Sequence, residues 1–595
     1  MSKRAPSIYE SFNARTLSND ALCETFIVSE HFRNLASPNH TIVVGPRGSG
    51  KTTLMRMLQV ETLKIWEDQE SEEFRKKISF SGVFIPTDRL WKNQSDKLSD
   101  SNIITAHEAK SLVIASFTYH ILERLTQTLI SRTKSGDESF KSISLNKSNE
   151  AQLTLELAKT WKVKPNISSL LSLSSAITQK KKEISDYISC VLSNTVKTHS
   201  HPERVEGDIT STIGASITLI NNYINEADGK WCFLFDELEL APEEIIQPLV
   251  DSMRGGPENI ILKLSLSPYH RELIVTNSPL SSMKNQDISF ICLTGSSVQD
   301  GLEFSRKLCG NIFAKNGLEK DIEEYFEQPK ELSEEAVFSE LASKDPDFKA
   351  YLHKNKIEIG KIKLYTEEDK RPTIRKVKFI ANLRNYYLKA NKRASRKQAP
   401  SYYAGFNEIC KALEYNPRML IGVMNKISQK ASNERKITIS AQLTALSEMN
   451  NSYQDLLQTI AIDSQGNELR SIYDLVEAIG KELSKDISGE KFTAEPKGVI
   501  TFRTKISGNY VEAIGFALNS GALIIENDKD ESLFNKNKMS TAECRLSYLF
   551  SHKFGILTNK GRKVELGRLL GAEQKIANYL RPVDPLLTPP QMDLL

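Results

Sequence analysis

The chain has 595 residues, of which 26% are charged, and its formal net charge is +4. That length allows about three or four domains with sizeable cores, and the near-neutral balance excludes a nucleic-acid or membrane partner chosen by global charge alone. Seven cysteines, odd in number and scattered with no Cys-x-x-Cys, argue for reduced thiols and against a disulfide framework or a zinc site.

Residues 1–40 form an N-terminal segment. Its start, MSKRAPSIYE, lacks the apolar core of a signal peptide, and no run of about 18 apolar residues occurs anywhere, so neither export nor a membrane span is expected and the cytoplasm is the expected location. Leu22–Val28 ends in a short apolar run. Ser29 is placed to cap a helix from Glu30 through Leu35.

Next, the β-branched run Thr41-Ile42-Val43-Val44 turns through Gly45-Pro46-Arg47-Gly48-Ser49-Gly50 and enters a helical pattern at Lys51-Thr52-Thr53. Gly-x-x-x-x-Gly-Lys-Thr between a strand and a helix is the context of a P-loop. The glycines let successive backbone N–H groups curl around a phosphate, and the helix N-terminus adds partial positive charge. Lys51 is expected at the β- and γ-phosphates of ATP and Thr52 on Mg²⁺, within a nucleotide-binding set running from Gly45 to Thr53. A segment just ahead of such a loop can cover the base, which makes Phe26, Ile27 and Val28 candidates. Ordinary packing of an N-terminal segment is the competing reading.

Trp66 to Lys77 reads as a solvated helix end, and Ser81–Pro86 as a strand stopped by proline. Asp88, Arg89 and Trp91 follow at what would be the carboxyl edge of a parallel sheet, where ligands bind; a salt bridge is the preferred role for Arg89. Residues 104–230 are helical in pattern. They comprise a long amphipathic stretch at Ala106–Ser131, a serine-rich, helix-interrupting segment at Asn166–Ser175, and helices around Ile184–Lys197 and Ile209–Asn225. This is a helical insertion between two core strands. His199 and His201, in Thr-His-Ser-His-Pro-Glu, read as a solvated turn rather than a metal site.

Lys230-Trp231-Cys232-Phe233-Leu234-Phe235-Asp236-Glu237 is an apolar run ending in two carboxylates, without alternation, as a fully buried strand should be. Downstream of a P-loop it reads as a Walker B strand, with Asp236 on Mg²⁺ and Glu237 polarising the attacking water. Ile260–Ser267 and Ile288–Thr294 read as the next strands. Ser267 stands where a polar sensor of the γ-phosphate belongs.

From Gly301 the pattern is helical and charged. Lys370–Lys397 contains Arg375, Lys376, Lys378, Arg384, Lys392, Arg393, Arg396 and Lys397 and no acidic residue, with Tyr386, Tyr387, Tyr402 and Tyr403 in or beside it. Basic side chains among aromatics suit a nucleic acid. The alternative is a solvated basic helix that balances the acidic run Asp321–Glu335. Tyr415-Asn416-Pro417-Arg418 opens a helix whose entry the proline fixes. Arg418, on its first turn, is suited to report a γ-phosphate; a surface arginine beside a helix start is the other reading. Within 440–582, a helix at Asn509–Asn519, a stop at Gly521, a strand at Ala522–Glu526, a polar loop and a strand at Glu543–Phe550 follow the order of a winged helix. That helix has no Lys or Arg, so any DNA contact there falls to the wing or to Arg545, Lys553, Lys560, Arg562 and Lys563. Pro582–Leu595 reads as a proline-rich, flexible or partner-bound tail.

GPRGSGKTT (Gly45–Thr53), LFDELELAP (Leu234–Pro242) and YNPR (Tyr415–Arg418), with the winged-helix-like end, resemble origin-recognition (ORC)-type AAA+ ATPases. Together with Ala14–Phe32 they look most like the bacterial ORC-like ATPases associated with mobile elements and anti-phage defence. The resemblance implies an α/β fold: a P-loop AAA+ core with a parallel sheet and a helical insertion, then an α-helical lid, then a C-terminal winged-helix-like domain. The expected division is 1–40, a segment covering the nucleotide; 41–300, the core, with the insertion at about 92–228; 301–435, the lid with sensor 2; 436–582, the winged-helix-like domain; and 583–595, the tail. It implies Lys51 and Thr52 as Walker A, Asp236 and Glu237 as Walker B, Ser267 as sensor 1 in a position where the family usually has Asn, and Arg418 as sensor 2. The family's trans-acting arginine would lie just before Ile288. Ser282–Gln286 has none there, leaving Lys284, Arg271, Arg254 and Arg306 as substitutes. The function expected is a Mg²⁺- and ATP-dependent switch with slow, partner-stimulated hydrolysis that senses or remodels DNA. The alternative is a nucleotide-loaded adaptor that regulates an effector protein with little hydrolysis. Self-association into a homo-oligomer is compatible with either.

Overall fold

The computed structural model describes residues 14–570 apart from 102, 134–138, 194–200, 274–287, 295–296, 331, 391–400, 432–434, 463–469, 504–507 and 527–532. Two compact units divide the chain. The first joins Asn13–Gly45 to Gly50–Leu293, and the second takes Pro46–Ser49 and the residues from Thr294 onward.

The first unit is built on a wholly parallel sheet of β1 (His40–Val44), β2 (Phe80–Pro86), β3 (Lys230–Asp236), β4 (Ile260–Leu266) and β5 (Ile288–Cys292), in the order β2-β3-β4-β1-β5. This arrangement is consistent with an AAA+ core. β3 is buried from Trp231 to Asp236 and β1 from Thr41 to Val44, as strands covered on both faces must be. Pairing of Phe235 with Leu264 and of Leu266 with Val44 brings the carboxyl ends of β3, β4 and β1 together. Lys263 interrupts the apolar run of β4 yet is fully buried. Its amine donates to Ser37 O, Asn39 O and Thr41 Oγ1, at 2.9, 3.0 and 3.2 Å, which ties the approach to β1 onto the sheet. Burial pushes that ammonium down to about 8.

Between β2 and β3 lie the helices Leu90–Ser99, Ala106–Thr133, Lys147–Thr160, Leu170–Leu192 and Ile209–Ile224. The serine-rich stretch does not interrupt a helix after Ser169. That residue caps Leu170–Leu192, and Leu170, Leu173 and Ile177 recur with helical spacing on its buried face. Arg132, at the end of the long helix, lies over the Trp231 ring at 5.0 Å and pairs with Glu226, fastening the insertion to the start of β3. The segment from Trp66 to Lys77 is also less solvated than its charge implies. Trp66 and Phe74 are buried and cluster with Phe26 and Phe32.

In the second unit, the helices Val298–Lys315, Phe406–Ala412, Pro417–Ser428 and Ile439–Gln458 precede a four-stranded sheet. Helices Glu334–Lys344, Pro346–Lys354 and Arg371–Ala390 share a core of Phe338, Leu341, Phe348, Leu352, Ile374 and Val377. The sheet has the order β7-β8-β6-β9, from β6 (Lys497–Thr501), β7 (Leu523–Ile525), β8 (Glu543–Leu546) and β9 (Arg562–Glu565); β6 and β9 are parallel, the other pairs antiparallel. The helix Gly508–Ser520 stops at Gly521, whose φ of +86° suits glycine. β8 is shorter than Glu543–Phe550, because Ser547 caps a 3₁₀ turn over Tyr548–Phe550. No described helix is long and apolar enough to cross a membrane.

Candidate nucleotide site

Of the catalytic candidates, Lys51, Glu237 and Ser267 belong to the first unit, beside the carboxyl ends of its strands, and Arg418 belongs to the second. Gly45 N continues the ladder of β1 by donating to Leu266 O at 3.2 Å. The chain then turns through Gly48 and Gly50, at φ +83° and +97°, into the helix Lys51–Met57. Lys51 is buried, and its amine turns back onto Gly45 O at 2.5 Å. Thr52 Oγ1 donates to Asp236 Oδ2 at 2.8 Å, and Ser265 Oγ to Asp236 Oδ1 at 3.2 Å. Thr53 is half-buried on the same first turn. The buried hydroxyl of Ser49 has no hydrogen-bond partner.

Asp236 is fully buried, and its carboxyl is pushed up to about 6, first by burial and then by the charge of Glu237 beside it. A buried carboxylate with a hydroxyl at hydrogen-bond distance is the donor set of a magnesium site, and a bound cation would reverse that upward push. Glu237 follows β3 in the left-handed region, at φ 51° and ψ 39°, a backbone state costing a non-glycine residue about 1–2 kcal/mol. Ser267 Oγ donates to Glu239 Oε1 at 2.6 Å, and the other oxygen of Glu239 is buried without a partner. The polar end of β4 is therefore a Ser–Glu pair, and Glu239 is a residue that sequence reasoning overlooked. Arg15 is another: it contacts Glu237 from the N-terminal segment. No motif or spacing rule marks either. Phe26 is held in the aromatic cluster of the N-terminal segment, while Ile27 and Val28 stay half-buried after it.

In the second unit, Pro46–Ser49 meet the start of the helix Pro417–Ser428. Asn416 Oδ1 accepts from Arg418 N and Met419 N at 3.1 and 3.3 Å, and its Nδ2 donates to Arg47 O at 3.3 Å. Arg47 N donates to Asn519 O at 2.9 Å, and Pro46 lies against Gly521. A Cβ on Gly48 would lie 3.0 Å from Asn416 Oδ1 and 3.1 Å from Arg418 Cβ. Both this crowding and the positive φ therefore require glycine there. Arg418 is half-buried on the first helical turn.

The basic helix is less available than its charge pattern implies. Arg375 pairs with Glu367 at 2.7 Å and Lys376 with Glu495, both exposed, and Lys378 lies 3.8 Å from Glu334. Arg384 is only 1% exposed and donates to Asp345, Ile487 O, Gly489 O and Glu490 O, so it is withdrawn from any nucleic-acid surface. Lys392, Arg393, Arg396 and Lys397 lie outside the described residues, as do Lys284, His199 and the tail. Arg545 is likewise buried, on Glu414 and Glu526, and Lys560 and Lys563 pair with Glu526 and Glu543. Arg306 pairs with Glu323 at 2.8 Å.

No curated protein and no solved structure matches the chain. A family model does, across residues 7–566, nearly the whole length. With a P-loop lysine and threonine, a buried aspartate and a neighbouring glutamate at the ends of a parallel sheet, the chain belongs to the ORC-CDC6-like family, an AAA+ relationship.

Proposed function

We propose that this protein binds and hydrolyses ATP with Mg²⁺ and uses the cycle as a switch, with DNA as the sensed or remodelled partner in a bacterial defence or mobile-element system. The observation that carries the reading is the Thr52 Oγ1–Asp236 Oδ2 contact at 2.8 Å with Glu237 next in the chain. Thr52 and Asp236 would hold Mg²⁺, which when bound neutralises charge on the β- and γ-oxygens. Lys51 and the backbone of Gly45–Thr53 bind the phosphates, and Ile27 and Val28 cover the base. Glu237 takes the proton from the attacking water. Ser267 and Arg418 sense the γ-phosphate, Arg418 from its place beside Gly48.

The test is ATP turnover by the purified chain, with and without duplex or single-stranded DNA, beside Lys51→Ala and Glu237→Gln. Loss of binding in Lys51→Ala, loss of turnover with binding kept in Glu237→Gln, and stimulation of the wild type by DNA are the expected results. Turnover unaffected by Glu237→Gln would overturn the assignment of the base.

A second reading is favoured by the burial of Arg384 and Arg545 and by the absence of Lys and Arg from the helix Gly508–Ser520. In it the protein is a nucleotide-loaded adaptor for an effector, as a monomer or a homo-oligomer. DNA bound through phosphates weakens steeply as salt rises; stimulation by a protein partner alone, without DNA retention at low salt, selects the adaptor.

A further inference from the structure

The carboxylate that would activate water is already engaged. Arg15 Nη1 donates to Glu237 Oε2 at 2.9 Å, and Arg15 Nη2 donates to Thr87 O, also at 2.9 Å. One guanidinium thus bridges the residues that follow β2 and β3. The turn that carries it is anchored from below. Arg56, buried on the P-loop helix, donates to the carbonyls of Ala14 and Leu17, the latter at 2.8 Å, and to Asn19 Oδ1 at 2.5 Å. Gln59 Nε2 holds the same Asn19 oxygen at 3.0 Å. The backbone on both sides of Arg15 is therefore tied to the helix that begins with Lys51 and Thr52.

The pair itself is more open than its anchors. The Arg15 and Glu237 side chains are 35% and 40% exposed, so their bond can be exchanged at little cost. A guanidinium hydrogen-bonded to one carboxylate oxygen occupies the position a water would need on that oxygen. It also fixes the rotamer of a residue whose backbone is held in the left-handed region.

We propose that Arg15 is a positioning residue that latches Glu237 away from productive water activation, so that the N-terminal segment gates hydrolysis. This rests on the reading of Glu237 as the base. Release of Arg15, by a partner that takes the N-terminal segment or by an anion that competes for the guanidinium, frees the carboxylate.

The experiment is steady-state ATP hydrolysis by the full chain carrying Arg15→Ala, Arg15→Gln or Arg15→Lys, with ATP binding measured separately by titration calorimetry. Arg15→Ala and Arg15→Gln should raise kcat about threefold with KM unchanged, the scale expected for a part-exposed ion pair. Arg15→Lys, which keeps the charge, should return kcat toward wild type. Asn19→Ala loosens the anchored turn without touching either partner and should give part of the rise. Adding Glu237→Gln to Arg15→Ala should abolish the gain. A fall in kcat in Arg15→Ala, or no change with ATP still bound, overturns the latch while leaving the ATPase reading intact. Bound ATP with no turnover in any variant overturns both.

Discussion

Arg545 Nη1 and Nη2 donate to the two carboxylate oxygens of Glu414 at 2.6 and 2.7 Å, joining β8 to the turn before Asn416 and Arg418. Glu414 and Tyr415 are consecutive non-glycine residues with positive φ, 56° and 53°. Glu414 also accepts from Tyr548 N at 2.6 Å. Such a backbone persists only where its surroundings over-determine it. Tyr415 adds a second restraint, since a Cβ on Gly301 would come within 2.6 Å of its ring. Arg545→Met should destabilise the second unit by about 3–5 kcal/mol, because it leaves a buried carboxylate unpaired. Adding Glu414→Gln should recover part of that loss. Urea unfolding of both single variants and the double variant measures the coupling; additive losses would rule it out.

Asp236 makes the opposite prediction for stability. Its charge is buried and shifted upward without a cation, so ionisation opposes folding of the metal-free protein. Asp236→Asn should therefore raise the melting temperature of the apoprotein, by about 1–2 kcal/mol of stability. It should also abolish the further stabilisation expected on adding ATP with Mg²⁺. Thermal melts with ATP and with Mg²⁺ in turn separate the two effects. A variant less stable than wild type in the absence of metal would contradict the first.

Arg375 and Arg384 lie on one helix and should behave differently. Arg384 bonds to Asp345 and three carbonyls in a buried setting, whereas the Arg375 pair with Glu367 is more than half exposed on both sides. Arg384→Met should destabilise by about 3 kcal/mol or more. Arg375→Ala should change stability by less than about 1 kcal/mol. If DNA is bound, Arg375→Ala should reduce the salt slope and Arg384→Met should not, provided the measurement is made where both variants remain folded.

The differences between sequence and structure have physical causes. Phosphate and magnesium chemistry needs a contiguous glycine turn, a lysine and a hydroxyl, and a strand ending in carboxylates. The strand before the glycine turn, the helix from Lys51 after it, and the strand ending at Asp236 are therefore legible in a string of letters, and the structure brings Thr52 to Asp236. Charge counting cannot tell a solvated arginine from one folded onto carbonyls. The signal for Arg384 was its phase: Val377, Ile380 and Ala381 are buried on the same helix, seven, four and three residues before it. The segment at Asn166–Ser175 has the same lesson, since leucine and isoleucine phase outweighs the weak helix propensity of serine once the face is buried. Arg15 had no such signal. Its position depends on Arg56 and Gln59 reaching across the fold.

Buried histidines should cost both units stability in acid. His120 donates from Nε2 to Pro86 O, 2.9 Å away, beside Lys181 and Arg124, and His552 lies buried with Nδ1 unpartnered. Burial above all pushes each down to about 4 from 6.5. Above 6.5 both are neutral in either state and the full stability is present. As pH falls through 6.5 toward 4, the unfolded chain takes up protons first, so stability is lost over that window. The loss should reach about 1.4 kcal/mol per histidine by pH 5.5. Urea unfolding at pH 7 and 5.5 should show a smaller drop for His552→Gln in the second unit and for His120→Gln in the first. An undiminished drop in a variant would mean that its histidine is protonated in the folded state and does not contribute to the loss.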